Sequence, residues 1–586
     1  MTENKEPKTI AIVGCGPRGL SALESLYAEA AKTNTIIYSL VFEKTAHPGA
    51  SPVYDINQED SNWLNVAERA LDIQDREKII FDTFSIPAFP TFQEWIGYSD
   101  EESNATDVDI FPLRSTMGMY LNERYKSIAD VLLEKGLLTY IQGEVQAMYP
   151  DHHQVKIDVI GGQHFIADEA VLTIGHQPIE LDEQLATWNE QVINMNTPVL
   201  FTQPYPITRI LESKVITSQN TVGIRGFGLA TIDLLRALSE GMGGIFKMKN
   251  ESTREMEYIS SGKEPKTIVP FSLDGLPSSP KPLNKKIDSL YVPTSKQLTD
   301  YKKSVTTAID SAKILESTNF LIEAISPLIV DTYVANDMNA IAHELSKSDI
   351  KKIVESWLYD EDFKHALIIP TDIPAKEILQ LFVGMATGHK AVSLDFCIGH
   401  VWRHCQPTMY KLLSFAPLSD ELLADIIALD ERLKRYSYGP PVDSLCQIIA
   451  LEKAGKLTLD FVNDPDIKLT KNGWILSKNK KSVSVEIMIN AVLPAPQILK
   501  VTSPLPKGLI TSSKIEALHD TLGIRTQKNG ITEFDNTEQS FPLAVLGRLA
   551  KGSLIGVDAI AECFGIRSEF WAEGVLKRIH QKNKQI

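Results

Sequence analysis

One stretch decides the fold: Lys8-Thr-Ile-Ala-Ile-Val-Gly-Cys-Gly-Pro-Arg-Gly-Leu-Ser-Ala-Leu-Glu24. Its apolar start, residues 10–13, predicts a central parallel strand buried on both faces, because it shows no polar alternation. Three glycines then follow at the spacing of a dinucleotide-binding turn. Gly14 permits the bend, Gly16 lets the backbone approach a pyrophosphate, and Gly19 allows close contact between helix and strand. The N-terminus of that helix presents free N–H groups and the positive end of its dipole to the phosphates.

The residues after this turn extend the same pattern. The helix predicted over residues 20–31 contains no glycine or proline, and a second apolar strand over residues 35–42 ends at Glu43. Glu43 lies roughly 20 residues past the turn, where a carboxylate accepts hydrogen bonds from a ribose. An ordinary βαβ unit with a surface glutamate is the alternative. The cofactor-binding residues expected in this unit are Gly14, Gly16, Pro17, Arg18, Gly19, Glu43 and Lys44.

The composition is that of a globular protein with several domains. The chain has 586 residues, of which 43% are hydrophobic and 23% charged, and its formal net charge is −16 at pH 7. This charge argues against nucleic acid and an anionic membrane surface as partners. No apolar run is long enough to span a bilayer, and residues 1–8 are polar, so we expect a cytoplasmic protein. The 5 cysteines suggest reduced thiols rather than a disulfide framework.

The segment after Glu43 leaves the sheet where a dinucleotide-binding fold holds its cofactor. Residues 47–54 form a loop by their proline and glycine content, and residues 62–66 follow it. Their side chains are candidates to cover a flavin ring, and a plain connection is the alternative. Residues 111–120 open a predicted helix that runs to about residue 135, and Arg114 sits where a phosphate, a loop carboxylate or solvent can meet it.

A further buried strand, residues 169–174, ends in Gly175 and returns the backbone toward the expected cofactor site. His176 is the titratable group at that strand end. A base role is open to it, although a lone histidine more often has a structural role. Other strands are expected over residues 139–148, 154–160, 164–167, 457–461 and 482–492, and a C-terminal helix near Ala559.

A second glycine turn lies within residues 221–238. Gly226 and Gly228 repeat the first two glycines of the pattern, and Thr231 replaces the third. Two such units are what a flavin enzyme needs if it takes hydride from a nicotinamide, because one fold holds FAD and the other NAD(P)H. The alternative is that the second unit is a degenerate fold without a ligand.

These patterns predict an α/β protein with two Rossmann-like dinucleotide-binding domains and a mostly helical insertion. Residues 1–200, completed by residues 480–586, are expected to bind FAD. Residues 201–297 are expected to bind NAD(P). Residues 298–456 show helical periodicity and form the insertion, a region for a substrate or a partner. Residues 457–586 return to the nucleotide-binding sheets.

No metal is expected. Cys397, His400, His404 and Cys405 fall on one side of a predicted helix. No glutamate stands beside the first histidine as in a zincin, and four ligands along one helix cannot converge on one ion. Packed core residues are therefore the favoured interpretation.

The chain resembles the bacterial FAD-NAD(P)-binding proteins, which are related to flavin-dependent N-hydroxylating and other two-fold monooxygenases. Several independent motifs carry the resemblance in family order across most of the chain. They are the Gly14–Glu24 turn and helix, Leu64-Asn65, residues 114–120, Thr173-Ile-Gly-His176, Gly226-Phe-Gly-Leu-Ala-Thr-Ile-Asp233, Gly439-Pro-Pro441 and Leu546-Gly-Arg-Leu-Ala-Lys-Gly552.

The resemblance implies FAD in the first fold, a C-terminal segment closing over the flavin, and NADPH or NADH at the second fold. Where such proteins tend to show Ser-Arg-x-Gly-Leu-Pro, this chain has Ser272-Leu-Asp-Gly-Leu-Pro277, so Leu273 cannot hold a 2′-phosphate. Arg225 and Lys247 are possible substitutes. The further cofactor-binding residues expected are Trp63, Leu64, Asn65, Arg114, Val145, Gly175, His176, Gly226, Gly228, Gly547 and Gly552.

The function implied is that of an FAD-dependent NAD(P)H oxidoreductase, a monooxygenase that acts on a small molecule with O2 through a flavin hydroperoxide. Two alternatives remain open: a reductase or dehydrogenase without oxygen transfer, and a non-catalytic flavin-binding protein. The cofactor performs the difficult step in such chemistry, so no catalytic side chain is assigned from the sequence. The substrate and the oligomeric state are likewise left open.

Overall fold

The computed structural model describes residues 7–99, 103–193, 195, 198–311, 314–336, 340–341, 344–533 and 541–585, with the backbone alone for residues 582–585. Its strands are β1 (Lys8–Val13), β2 (Ile37–Glu43), β3 (Ile79–Ile80), β4 (Ser85–Ile86), β5 (Leu138–Gln142), β6 (Val145–Asp151), β7 (Gln154–Val159), β8 (His164–Ala167), β9 (Glu169–Leu172), β10 (Val199–Phe201), β11 (Thr221–Arg225), β12 (Ile245–Asn250), β13 (Glu255–Ile259), β14 (Thr267–Phe271), β15 (Asp466–Thr470), β16 (Gly473–Lys478), β17 (Lys481–Val485), β18 (Ile487–Asn490) and β19 (Leu543–Val545).

Its α-helices are α1 (Pro17–Ala31), α2 (Phe92–Ile96), α3 (Arg114–Glu134), α4 (Glu183–Ile193), α5 (Ile207–Glu212), α6 (Leu229–Ala237), α7 (Lys285–Asp288), α8 (Ser295–Ile309), α9 (Asn319–Ala335), α10 (Lys347–Tyr359), α11 (Ala375–Ala386), α12 (Leu394–Leu413), α13 (Asp420–Ser437), α14 (Val442–Lys453), α15 (Pro504–Thr511) and α16 (Ile566–Gln585). Among these described helices, none combines the length and the apolar character needed to cross a membrane.

The first unit is built on a parallel sheet with the strand order β19-β9-β1-β2-β5. Ile10 and Ile12 of β1 face one core, which α1, α3 and α16 cover. Ala11 and Val13 face a second core on the other side, which contains residues of β6, β7 and α15. Both faces of β1 are thus buried, as its unbroken apolar run predicts.

The second unit has its own parallel sheet, in the order β10-β18-β11-β14. One face, with Val222 and Ile224, shares a continuous core with α6 and with the helices of the insertion. The opposite face, with Met488, packs on α4 and on the antiparallel sheet β15–β17. The insertion is therefore packed onto the second unit, and α/β architecture with two dinucleotide-binding units is confirmed.

Several predicted elements differ in detail. The run at 139–148 is divided into β5 and β6, because the backbone bends at Gly143, where an added Cβ would lie 2.7 Å from Val159. Residues 457–461 form no strand, since Leu457 makes an isolated bridge to Ile268. The run at 482–492 is also divided, and its second part, β18, lies in the second sheet, whereas the first sheet is completed by β19. The C-terminal helix begins later than predicted, at Ile566.

Candidate cofactor and substrate sites

The first glycine turn has the geometry that the spacing predicts. Gly14 has φ +87°, and a Cβ there would lie 2.9 Å from the Ile174 Cα atom. A Cβ at Gly19 would overlap the Gly14 carbonyl oxygen, so α1 approaches the strand end as only a glycine permits. The Thr173 hydroxyl donates a hydrogen bond to that same Gly14 carbonyl and fixes the turn against β9.

Glu43 lies at the end of β2, next to this turn, and is 4% exposed. One carboxylate oxygen accepts the backbone N–H of Cys15 at 2.8 Å, and the other accepts the N–H of Thr45 at 2.9 Å. Each oxygen keeps further acceptor capacity, which a ribose diol can use. Burial, together with the Glu43 charge, raises the pKa of the Cys15 thiol well above its usual value. Cys15 is therefore a neutral turn residue, not an activated thiolate.

Arg18 is the strongest indication of an anion site in the first unit. Its side chain is buried, 6% exposed, and makes one hydrogen bond within the described part of the chain, from Nη1 to the Cys563 carbonyl at 3.2 Å. Its Nε and Nη2 atoms are buried without partners. Gly547, in the C-terminal segment, faces the same guanidinium, since an added Cβ would lie 3.3 Å from Nε. A buried cation with free donors beside a helix N-terminus fits the diphosphate of FAD.

The second glycine turn repeats this design with one change. Gly226 has φ +122° and donates its N–H to the Phe271 carbonyl at 2.7 Å. Gly228 is the N-cap of α6, and a Cβ there would meet open space. Thr231, which replaces the third glycine, donates its hydroxyl to the Gly226 carbonyl at 2.9 Å. The substitution thus holds the turn closed by a hydrogen bond, and the N-terminus of α6 stays open for a dinucleotide.

A cavity of about 1890 Å³ lies between the two units, the insertion and the C-terminal segment. This volume exceeds the 300–1,000 Å³ typical of a pocket for one small molecule. His176 after β9, Gly226 after β11 and Leu273 after β14 all line it, so the carboxyl ends of strands from both sheets open into one space. Ligands of parallel α/β sheets bind at such strand ends.

The structure places the predicted residues of the first unit differently around this cavity. Leu64 and Asn65 line it, and the Asn65 amide donates to the Tyr438 carbonyl at 3.0 Å. Trp63 instead stacks on Arg236, whose guanidinium carbon lies 3.8 Å from the ring centroid. Trp63 is therefore a packing residue that joins the two units.

Arg114 meets a carboxylate, one of the partners that the sequence left open. Its Nη2 atom lies 2.7 Å from Asp233 of α6, and the Tyr205 hydroxyl donates to the same carboxylate. Burial opposes the Arg114 charge, but Asp233 raises the pKa of Arg114 above its usual value. The pair locks the first unit to the helix that follows the second glycine turn.

Three other predicted residues lie away from the cavity. Lys44 is exposed at the end of β2, and Val145 is buried in the core at the start of β6. Gly552 has φ +112° and packs on Leu518 and Leu522, at 3.1 Å from each for an added Cβ. Their expected contacts with FAD stay predictions.

His176 lines the cavity near Arg548, whose Nη2 atom donates to the Pro494 carbonyl at 3.1 Å and whose Nη1 pairs with Asp558. His176 is exposed to solvent at the cavity wall, and desolvation by the surrounding protein, together with the Arg548 charge, lowers its pKa to about 4. His176 is therefore neutral at pH 7. Gly175 precedes it with φ +64° and lets the chain turn out of β9.

A charged corner of the cavity escaped the sequence analysis. Arg69 holds Asp109 with two bonds of 2.7 Å and reaches Asp288 at 3.0 Å. Arg403 and His404 of α12 also bind Asp288. Although burial opposes it, Arg403 and His404 hold the pKa of Asp288 well below its usual range. The negative charges of Asp109 and Asp288 are thus balanced by the cations around them.

Lys281 lies in the same corner and has no carboxylate of its own. Its ammonium nitrogen donates to the Ser437 carbonyl at 2.6 Å. Burial and the neighbouring Arg403 lower the pKa of Lys281 well below its usual value. An incoming carboxylate would relieve that penalty, so this corner fits an anionic group.

The cysteine and histidine set of α12 packs as core residues. His400 is completely buried between aromatic rings, with its centroid 4.4 Å from that of Phe396 and 5.1 Å from that of Tyr291. His404 binds Asp288 instead. Within the described residues, no group of three or more His, Cys, Asp or Glu side chains has metal-binding geometry.

Comparison with known proteins identifies the class. Residues 11–177, the first unit up to the end of β9 and His176, match the model of the FAD-NAD(P)-binding family. This unit is therefore similar to that family, and FAD and a nicotinamide dinucleotide are the cofactors that fit the chain.

Two curated relatives and one solved structure are similar to the chain. Nitrosuccinic acid synthase of Aspergillus oryzae is 27% identical over 270 residues, which cover 44% of this chain and 39% of that protein. A nitrosuccinate-forming L-aspartate N-monooxygenase of Streptomyces davaonensis is 25% identical over 307 residues, covering 47% and 45%. The matches thus span less than half the length of these relatives. Reduced ornithine hydroxylase of Pseudomonas aeruginosa has a TM-score of 0.44 at 10% identity, covering 98% of this chain and 99% of that one.

Proposed function

We propose that this protein is an FAD-dependent monooxygenase that oxygenates the amine of a small anionic amino acid. In the proposed reaction NAD(P)H gives up a hydride, one oxygen atom of O2 becomes bonded to the substrate nitrogen, and the other leaves as water. Bound FAD would supply the activation of O2. The observation that carries the proposal is the single cavity into which the strand ends of both dinucleotide-binding units open.

The residues of the chain divide the remaining tasks. Arg18 and Glu43 would hold the diphosphate and ribose of FAD, and the Gly226–Gly228 turn would hold the nicotinamide dinucleotide. Arg114 and Asp233 would fix the two units at a constant separation, so that hydride donor and acceptor meet in one geometry. The insertion would close the cavity against water, which is needed to couple O2 to substrate rather than to futile oxidation.

The charged corner supports an anionic substrate. Lys281, with Arg403 behind it, presents a buried amino group to the cavity and lacks a carboxylate partner among the described residues. An amino acid with an acidic side chain carries a carboxylate beside its amine, and that carboxylate can pair with Lys281. The names of the two curated relatives, a nitrosuccinic acid synthase and an L-aspartate N-monooxygenase, agree with this substrate class.

The test begins with the purified, FAD-loaded protein. Under anaerobic conditions, NADH or NADPH should bleach the flavin absorbance. In air, L-aspartate, L-glutamate and their amides should then be compared by coupled nicotinamide oxidation and by mass spectrometry of N-oxygenated products. Bleaching without any such product would favour a reductase. Failure of both nicotinamides to bleach the flavin would favour a binding protein.

Lys281→Met tests the substrate corner. The loss of a charge-assisted hydrogen bond, roughly 1.5–3 kcal/mol, should raise the KM for the acidic amino acid about 10- to 100-fold. Anaerobic flavin reduction should stay unchanged. Lys286→Met, which removes an exposed lysine from the nearby helix α7, is the matched control. Equal KM values in the two variants would show that Lys281 does not bind the substrate.

A further inference from the structure

The loop after β14 occupies the position that distinguishes NADH from NADPH. β14 is the parallel neighbour of β11, so β11, α6 and β14 form the βαβ unit of the second site. In such units the residues after the second strand meet the adenosine ribose, where an acid binds the 2′-hydroxyl and an arginine the 2′-phosphate. Here that loop is Ser272-Leu-Asp-Gly-Leu-Pro277, and it lines the cavity at Ser272, Leu273 and Asp274.

The loop itself carries an acid and no cation. Leu273, at the place of the family arginine, is 88% exposed and has no hydrogen-bonding group. Asp274 fixes the loop through one carboxylate oxygen, which accepts the Leu276 N–H at 3.0 Å, and points the other oxygen at Arg435 of α13. Asp464 lies beside it, since its backbone N–H donates to the Ser272 carbonyl at 2.8 Å, and Asp464 also lines the cavity.

Neither cation proposed from the sequence can replace the missing arginine. Arg225 is tied to Asp182 at 3.0 Å, to Gln184 at 2.9 Å and to Asn490 at 3.0 Å. Lys247 lies opposite Glu257 in the exposed β12–β13 hairpin and is not among the residues that line the cavity. Arg435 of α13 is already paired with Asp274, and Lys478 binds the Asp464 carbonyl at 3.0 Å.

We infer that the second dinucleotide site selects NADH over NADPH, with Asp274 accepting a hydrogen bond from the ribose 2′-hydroxyl and Arg435 donating one. Arg435 is suited to that role because its Nη1 atom is buried and has no partner in the part of the chain that the structure describes. A hydroxyl both donates and accepts hydrogen bonds, so it matches the Arg435–Asp274 pair, in which one partner donates, the other accepts and the two charges cancel. A 2′-phosphate would bring about two negative charges beside Asp274 and Asp464, which like-charge repulsion disfavours.

This inference rests on the proposed function, because it names the hydride donor of the same site. The test uses the FAD-loaded protein and two probes that undergo no reaction, ADP-ribose and its 2′-phosphorylated form, with Kd values from titration calorimetry. ADP-ribose should bind at least tenfold more tightly than the phosphorylated probe. The kcat/KM ratio for flavin reduction should favour NADH by a similar factor.

Two variants sharpen the test. Asp274→Asn removes the charge but keeps the shape, and Leu273→Arg restores the family cation at a highly exposed position where folding is not at risk. Each should shift the Kd ratio at least fivefold toward the phosphorylated probe, and the double variant should shift it further. Asp425→Asn, the same charge change on the exposed face of α13, should leave the ratio unchanged.

The outcomes distinguish a failure of the NADH assignment from a failure of the proposed two-dinucleotide function. Tighter binding of the phosphorylated probe by the unaltered protein, or a ratio that Asp274→Asn does not move, would overturn the NADH assignment and leave the two-dinucleotide function standing. If neither probe bound, the second unit would not be a dinucleotide site, and both proposals would fall together.

Discussion

Replacement of Arg18 by methionine should separate a cofactor-binding arginine from a structural one. The guanidinium is buried at the first glycine turn, and its Nε and Nη2 atoms have no partner in the described chain. If both meet the FAD diphosphate, their loss removes two charge-assisted hydrogen bonds of roughly 1.5–3 kcal/mol each. Taking the lower value for each bond gives about 3 kcal/mol, which is a roughly 100-fold increase in the Kd for FAD.

The apoprotein should respond in the opposite way. Among the described residues Arg18 makes one hydrogen bond, to the Cys563 carbonyl, and its buried charge has no carboxylate hydrogen-bonded to it, although Glu562 lies near enough to interact with it. Its charge also contributes, after burial, to the lowered pKa of Arg567, about 10. Because removal of an uncompensated buried charge relieves a desolvation penalty, apo Arg18→Met should unfold at the same temperature as the parent protein or a higher one.

Arg124→Met is the matched control. Arg124 is equally buried in the same unit, but it holds Glu24 with bonds of 2.9 and 2.8 Å. Glu24 keeps Arg76 as a partner at 2.9 Å, so the loss of Arg124 should destabilise the apoprotein by roughly 1.5–3 kcal/mol. Two measurements distinguish a cofactor-binding arginine from a structural one. They are the FAD Kd from fluorescence quenching and the stability of the apoprotein from thermal unfolding. Our interpretation of Arg18 would be refuted by an FAD Kd within threefold of the parent value, or by an apo destabilisation like that of Arg124→Met.

Two further predictions concern the joint between the units and the cavity histidine. Asp233→Asn removes the buried partner of Arg114 and should lower the free energy of unfolding by about 3–5 kcal/mol in urea titrations, whereas Asp130→Asn on the exposed side of α3 should have little effect. His176 has a folded pKa of about 4, below the value near 6.5 of an unfolded histidine, so the unfolded chain binds more protons between those values and stability is lost as the pH falls through that window. His176→Gln should therefore flatten the stability profile between about pH 6.5 and 4, and an unchanged slope would show that the ring is solvated.

The sequence predicts what is local in this fold. The glycine turn, the double-sided burial of β1 and the acid at the end of β2 lie within residues 8–43, because a βαβ unit is determined by neighbouring residues. The strand boundaries at Gly143 and at β18 were missed, since an apolar run does not reveal where a chain changes from one sheet to another. At both boundaries, only tertiary packing determines where the chain leaves one sheet for another.

The cavity was not predictable in the same way. Arg69, Asp109, Lys281, Asp288 and Arg403 are far apart in the chain and follow no common period, and each alone looks like a solvated surface charge. Arg114 illustrates a related limit: the sequence leaves a phosphate, a loop carboxylate and solvent open as its partner, and the folded chain supplies Asp233 from α6. A motif thus indicates that a position matters before it indicates what the side chain contacts.

In our proposal both dinucleotide units present an acid to a ribose. In the first, Glu43 ends the second strand of the βαβ unit, and an arginine reaches the turn from α1. In the second, Asp274 follows the equivalent strand, and Arg435 arrives from the insertion. An acid placed after that strand is suited to a free diol, whereas a 2′-phosphate needs cations there. In our proposal the departure at Leu273 and the acid at Asp274 therefore act together, because the loop after β14 then presents an acid in place of the family cation, as Glu43 does after β2.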